Sequence, residues 1–429
     1  MWDEAVANLP SKEHLGRNLR RIRSREHGPL PKNRNDFDPE TVVKDALGGH
    51  KVIVMDSNKL LDTEYNKHLD DFKKNRTVYN DDLDEFITNS MNQPHDESNT
   101  TNEYEEGEGN DKSGEHPGLV DYSSSSDDAG DSDSSIESTK PKRIIAYSTK
   151  LLLKLFNQRK SSGDGTFKIC PALWKQLYIV MVKFKDSWIP VCYALLPDKC
   201  QETYFAFFYM LRKQIKDMKL AFNIQSMRSD FEVAEMKAAA AAWEIVVRGC
   251  YFHFTQSGWR FVQNNGMASA YLGDNDQEFK LLIQCVLSLP HVPVRDIEET
   301  LEILRTKDWD FGESQEKHEF KEKIFQYMKD YWIDGVYPPQ VWNCFHRKVD
   351  MTNNNNESHN NYLNNAVKEA HPSPATLTVA LVKELTLAET KYRKVKSGAR
   401  RVVKKTYMDM NKRREELKKM YHKMDRIYS

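Results

Sequence analysis

The chain is predicted to be an α/β protein, a mixed sheet with helices packed against it, preceded by a long acidic stretch that does not fold. Three observations predict this. Residues 176–184 and 188–196 are rich in β-formers and are separated only by the polar turn Lys185-Asp186-Ser187. Helix and strand patterns then alternate as far as Phe254, an order that suits helices lying on a sheet. Ahead of both, from about Thr63 to Thr139, the composition collapses into Asp, Glu, Ser, Asn and Gly, as in Glu103-Tyr104-Glu105-Glu106-Gly107-Glu108. Such a segment buries too little apolar surface to offset its ordering entropy.

Taken in order, residues 11–27 read as a basic helical piece ended by Gly28, Pro29 and Pro31. Val52-Ile53-Val54-Met55 reads as a short strand with nothing nearby in sequence to pair with. Order resumes at Lys140 with a short strand through Ile144 and Ile145, then a helix over 151–156. Asp164, between Gly163 and Gly165, reads as a turn opening into a strand at Thr166-Phe167-Lys168-Ile169. With the two β-rich runs this makes an antiparallel meander. A helix over 202–218 carries the stripe Tyr204, Phe207, Phe208 and Leu211, which reads as core packing. Residues 221–231 alternate like a strand with Asp230 at its tip, 234–243 form an Ala-rich helix, and 245–254 form a further strand. From 255 to 348 nearly everything reads helical. The asparagines at 353–356 offer an N-cap to a helix with Glu357 in its first turn. The expected units are a basic N-terminal segment (1–62), an acidic linker (63–139), the α/β core (140–254), a helical insertion (255–348), a closing helix (349–375) and a basic helical tail (376–429).

The net charge of −1 over 429 residues hides basic ends around an acidic middle. Six cysteines are scattered without a C-x-x-C pair, which argues against a disulfide framework or zinc ribbon and suits a reducing compartment. Met1-Trp2-Asp3-Glu4 has no basic or apolar leader pattern, so no signal peptide is expected there. No apolar run approaches the roughly 20 residues that span a bilayer.

The chemistry-bearing residues are acidic. Asp164 and Asp230 are expected at strand ends and Glu357 on a covering helix. Carboxylates so placed hold a pair of divalent cations that stabilise attacking and leaving oxygens in phosphodiester chemistry, and hard oxygen ligands suit Mg²⁺ or Mn²⁺. Each acid taken alone also has an ordinary reading, as a turn residue or a helix-start residue.

Four motifs, in order, resemble those of the Mutator-like element (MULE) transposase domain. They are Asp164-Gly165-Thr166-Phe167 with Pro171, Gln176-Leu177-Tyr178 and Tyr193 to Lys199; Ser229-Asp230-Phe231-Glu232; Gly249-Cys250-Tyr251-Phe252-His253-Phe254; and Thr352-Asn353-Asn354 through Glu357-Ser358-His359. The resemblance covers about residues 140–375. It implies a ribonuclease H-like fold with an all-helical insertion before the last catalytic helix. It also implies a metal-binding catalytic triad of Asp164, Asp230 and Glu357, and DNA strand cleavage and transfer in the nucleus. The chain departs from the family where Lys160-Ser161-Ser162-Gly163 replaces apolar residues before the first aspartate, so the first strand is expected to begin late. No cysteine precedes Cys170, so the zinc finger that often precedes the domain in animal relatives is missing.

Cys250 and His253 keep three readings: half of a zinc site, a buried Cys with a packed His, or, as the resemblance implies, a pair beside the active site with His253 contacting DNA or the scissile phosphate. Lys394, Lys396, Arg400, Arg401, Lys404, Lys405, Arg413 and Arg414 suit phosphate backbones or nuclear import, or else a solvated helix. The expected partners are DNA and, as an option, further copies of the chain. The alternative to a transposase is a non-enzymatic, element-derived DNA-binding or chromatin protein.

Overall fold

Strand β1 (Val52–Asp56) pairs antiparallel with β2 (Ile145–Thr149), from Val52 opposite Thr149 to Asp56 opposite Ile145. The computed structural model describes residues 31, 33–46, 51–74, 142–273, 276–347, 352–400 and 405–428. The strand at 52–55 therefore has a partner, roughly a hundred residues away, that sequence neighbourhood could not supply. A buried ion pair fixes the join: Arg143 reaches Asp56 through Nη2 at 2.6 Å and donates Nη1 to the Arg34 and Phe37 carbonyls at 2.7 and 2.8 Å. A helix, α1 (Pro39–Ala46), precedes β1, and α2 (Thr63–Lys74) follows it. Helix α2 corrects the linker boundary. Tyr65, Leu69 and Phe72 bury one face of it, and Phe72 stacks on Phe205 at 4.4 Å, so the first turns assigned to the acidic linker are folded. The basic piece at 11–27, the rest of that linker, Arg401 and Lys404 lie outside the described residues.

After β2 come β3 (Lys160–Thr166), β4 (Gln176–Phe184) and β5 (Ser187–Leu196), the antiparallel meander, with a bulge at Val180/Met181. Strand β3 does not begin late. It starts at Lys160 and carries Asp164 within it, opposite Ile179, while Cys170 N–H bonds the Phe167 carbonyl in the turn that follows. Helix α3 (Gln201–Asp217) buries Tyr204, Phe207, Phe208 and Leu211 as its stripe predicts. Short β6 (Ser226–Ser229), Ala-rich α4 (Val233–Trp243) and short β7 (Val246–Gly249) complete the sheet.

The strand order is β1-β2-β5-β4-β3-β6-β7, with β6 parallel to β3 and β7 parallel to β6. Helices α3 and α4 cover one face, where Tyr178 of β4 packs edge-on against Phe207 and bonds Glu235. The strand expected over 245–254 ends at Gly249. Helix α5 (Tyr251–Asn264) starts at once, with Cys250 as its N-cap and His253 in its first turn.

The helical insertion then runs through α6 (Gln277–Leu287), α7 (Ile297–Thr306) and α8 (Gln315–Tyr327), which continues as a π-helical turn over Met328–Ile333. Its core is aromatic: Phe254 stacks on Trp342 at 5.2 Å and meets Trp332 at 4.6 Å. Helices α9 (Asn354–Val367) and α10 (Pro374–Lys396) lie on the other face of the sheet, and α11 (Lys405–Tyr428) follows. The tail assignment needs correction here. Leu377, Leu381, Val382 and Leu385 are buried, and Thr378 shares a 2.8 Å hydrogen bond with Tyr147 of β2. The apolar spacing of α10 therefore serves the sheet of its own chain.

Candidate functional site

Side chains alternate across a strand, and register shows which residues share the α9 face. Ser162 of β3 lies beside Arg228 of β6, which lies beside Arg248 of β7. Two residues on, Asp164, Asp230 and Cys250 follow in the same direction. Helix α9 presents three asparagines to this face at four-residue spacing. Asn356 Oδ1 accepts from Ser162 Oγ at 2.6 Å, Asn360 Nδ2 donates to Asp164 Oδ2 at 2.7 Å, and Asn364 Oδ1 accepts from Thr166 Oγ1 at 3.4 Å. Four helical residues rise about 6 Å and two strand residues about 6.6 Å, so the rungs stay in step. The ladder holds Glu357, adjacent to Asn356, over the strand tips.

Asn353 adds a second tie. It was expected to cap α9 but makes no side-chain cap bond. Its Nδ2 instead donates to Gly163 O at 3.0 Å and Asp230 Oδ1 at 3.1 Å, and its backbone N–H donates to Cys250 Sγ at 3.0 Å. One buried asparagine thus joins β3, the β6 tip and the start of α5. Phe231 sets how Asp230 leaves β6. Its φ of 68° lies in the left-handed region, a costly conformation for an aromatic residue. Trp332 and Tyr337 box its ring at 5.0 and 5.1 Å, and Tyr337 donates its hydroxyl to the Phe231 carbonyl. Gly249 leaves the room: a Cβ there would stand 2.1 Å from Phe231 Cζ.

His253 lies between two of the acids, with Nδ1 3.1 Å from Asp230 Oδ1 and Nε2 3.7 Å from Glu357 Oε1. Burial works to lower its pKa, but Asp230 and Cys250 outweigh burial and lift the imidazole to about 11. Burial raises Asp164 well above the carboxylate range, helped by the charges of Asp230, Glu235 and Glu357 and opposed by His253. Burial likewise raises Glu357, with His253 opposing and Asp230 adding. The three predicted acids therefore share one face of the sheet and feel one another's charge, but among the described residues only Asp230, Cys250 and His253 have ligand atoms all within 4.8 Å of one another. Cys250 and His253 stand at the start of a helix and not at a strand end.

Two donor sets overlap on Asp230. The oxygens of Asp164, Asp230 and Glu357 are hard ligands of the kind Mg²⁺ and Mn²⁺ take. Glu357 Oε1 and the Asn360 Oδ1 carbonyl are buried without a hydrogen-bond partner, which fits a cation among them. The second set, Asp230, Cys250 and His253, has ligand atoms within 4.8 Å of one another, and its thiol and imidazole suit a borderline metal such as zinc.

The sequence reading missed Asn353, Asn356, Asn360 and Asn364 as site residues. The signal lies in the four-residue spacing of Asn356, Asn360 and Asn364, whereas the capping expectation covers only 353–356. Lys396, Arg400, Lys405 and Arg413 are exposed, Lys394 belongs to the last turn of α10, and Arg414 is partly buried on α11, bonding Asn411 at 3.3 Å. None of the described helices is long and apolar enough to cross a membrane. A scan of protein-family models and searches of curated proteins and solved structures each find no match to this chain.

Proposed function

We propose that the chain is a transposase-type domain of the Mutator-like kind, on a ribonuclease H-like core, that cleaves and transfers DNA strands with Mg²⁺ or Mn²⁺. The observation that carries this reading is the placement of three acids on one face of the sheet. One is on the central strand β3, one just past the adjacent parallel strand β6, and one on the covering helix α9. The order β5-β4-β3-β6-β7, with the first three strands antiparallel and the last two parallel to β3, supports the ribonuclease H-like assignment.

Asp164, Asp230 and Glu357 would hold the cations, which when bound supply charge stabilisation to the attacking and leaving oxygens. Asn360 and Asn353 orient Asp164 and Asp230. His253 lies between Asp230 and Glu357, 3.1 and 3.7 Å from their oxygens. A nuclear location follows from a DNA substrate.

The same His253 supports a second reading, a non-enzymatic DNA-binding protein. An imidazolium within 3.1 Å of Asp230 and 3.7 Å of Glu357 would offset the repulsion between two of the acids, a role that needs no metal. The test uses purified full chain, Mg²⁺ or Mn²⁺, and duplexes with and without an inverted-repeat end. Nicking by the wild type, lost in Asp230→Asn, supports catalysis. A folded protein that binds DNA and nicks neither duplex moves the reading to the second.

A further inference from the structure

Cationic side chains converge on the β7 edge of the sheet. Arg248 projects there beside Arg228 and makes no hydrogen bond or ion pair among the described residues. Arg347 donates Nη1 to the Gly249 carbonyl at 3.0 Å, which places its guanidinium next to Arg248. Lys418 of α11 donates Nζ to the Arg347 carbonyl at 3.1 Å, and Arg414 stands one helical turn before it. The docking of α11 is anchored by Tyr421, whose hydroxyl donates to Asp296 and whose ring meets Phe345 at 5.5 Å. His291 reports the local potential. Burial, then Arg414, Lys418 and Arg347, hold its imidazole down at about 4, so it stays neutral among the cations.

Glu415 pairs with Lys418 at 2.9 Å, while Arg248, Arg347 and Arg414 have no carboxylate partner among the described residues. Like charges gathered in a partly desolvated place cost free energy unless a counter-charge arrives. Guanidinium forks match phosphate oxygens in geometry as well as charge. The site is also close to the acids, because Arg248 precedes Cys250 by two residues and Arg347 holds the carbonyl between them.

We propose that Arg248, Arg347, Arg414 and Lys418 form a phosphate-binding site at the β7 edge that takes a backbone phosphate of DNA beside the carboxylate cluster. The proposal rests on the DNA-processing reading, but its test needs no catalysis. The full chain is titrated with a fluorescent duplex in EDTA across a salt series, as wild type, Arg414→Gln and Arg248→Gln/Arg414→Gln. Removing a phosphate contact should shrink the slope of log affinity against log salt by roughly 0.9. Arg414→Gln changes a partly buried side chain on α11, and thermal unfolding confirms that each variant is folded.

A weaker slope and a several-fold loss of affinity in both variants support the site. Unchanged slopes, or a wild type that does not bind duplex, overturn it. So does a result in which inorganic phosphate or a mononucleotide raises the unfolding temperature of the wild type alone while duplex binding is equal in all three proteins. That outcome identifies a small-phosphate site. Metal-dependent nicking, measured separately, stands or fails independently of these results.

Discussion

Asn360 donates its side-chain amide to Asp164 Oδ2 at 2.7 Å across 196 residues of chain. The contact is part-buried, and it is the middle rung of the asparagine ladder that holds α9 on β3. Asn360→Ala should cost about 1–3 kcal/mol in metal-free buffer. Measured by denaturant unfolding, Asn360→Ala and Asp164→Ala should be non-additive in a double-mutant cycle. Additive losses would mean that the contact carries no coupling.

The pair Arg143–Asp56 ties the N-terminal strand to the core, with both side chains nearly excluded from solvent. Removing one partner of such a pair leaves the other charge buried. Asp56→Ala should therefore destabilise the whole sheet by roughly 3–5 kcal/mol. If β1 were peripheral, urea midpoints of wild type and variant would coincide.

Gly163 faces Tyr178 so closely that a Cβ would lie 1.8 Å from the phenol oxygen and 2.5 Å from Met227 Cε. Gly163→Ala should cost about 1–3 kcal/mol through overpacking. Tyr178→Phe in the same chain should recover part of that loss. Recovery of none would place the clash on Met227 Cε and the ring carbon of residue 178, 2.5 and 2.6 Å from that Cβ.

Burial pushes Glu235 up to about 8, against the hydrogen bonds it receives from Tyr178 and Ser229. The native state therefore holds a proton that the unfolded chain has lost between about pH 4.5 and 8. Over that window stability falls as pH rises, and above it the penalty is constant. Glu235→Gln should lose this slope and gain on the order of a few kcal/mol relative to wild type at pH 8. At pH 4, where Glu235 is largely protonated in both the folded and the unfolded chain, the difference should nearly vanish. A parallel pair of stability curves would contradict the assignment.

Much of the sheet was legible in local pattern. The runs at 176–184 and 188–196, the stripe of α3 and the Ala-rich α4 declare themselves by periodicity, which depends only on neighbours in sequence. The same locality explains the errors. Lys160-Ser161-Ser162-Gly163 has no apolar signature, yet it is strand, because β4 and β6 flank it on both sides and supply its hydrogen bonds. Cys250 to Phe254 looks β-rich, yet the chain turns into α5 because the sheet ends at β7 and the aromatic residues find Trp332 and Trp342 in the insertion.

The sequence by itself determined that Asp230 would follow the end of a strand and that Glu357 would lie in the first turn of a helix, since such signals are written in adjacent residues. Asp164, read as the opening of a strand, lies within β3. Only the tertiary structure decided that β1 belongs to the sheet, that α10 covers it, and that asparagines of α9 grip β3 rung by rung. Those contacts join residues roughly a hundred or more positions apart. Their free energy comes from desolvation and hydrogen-bond geometry that exist only once the two segments meet.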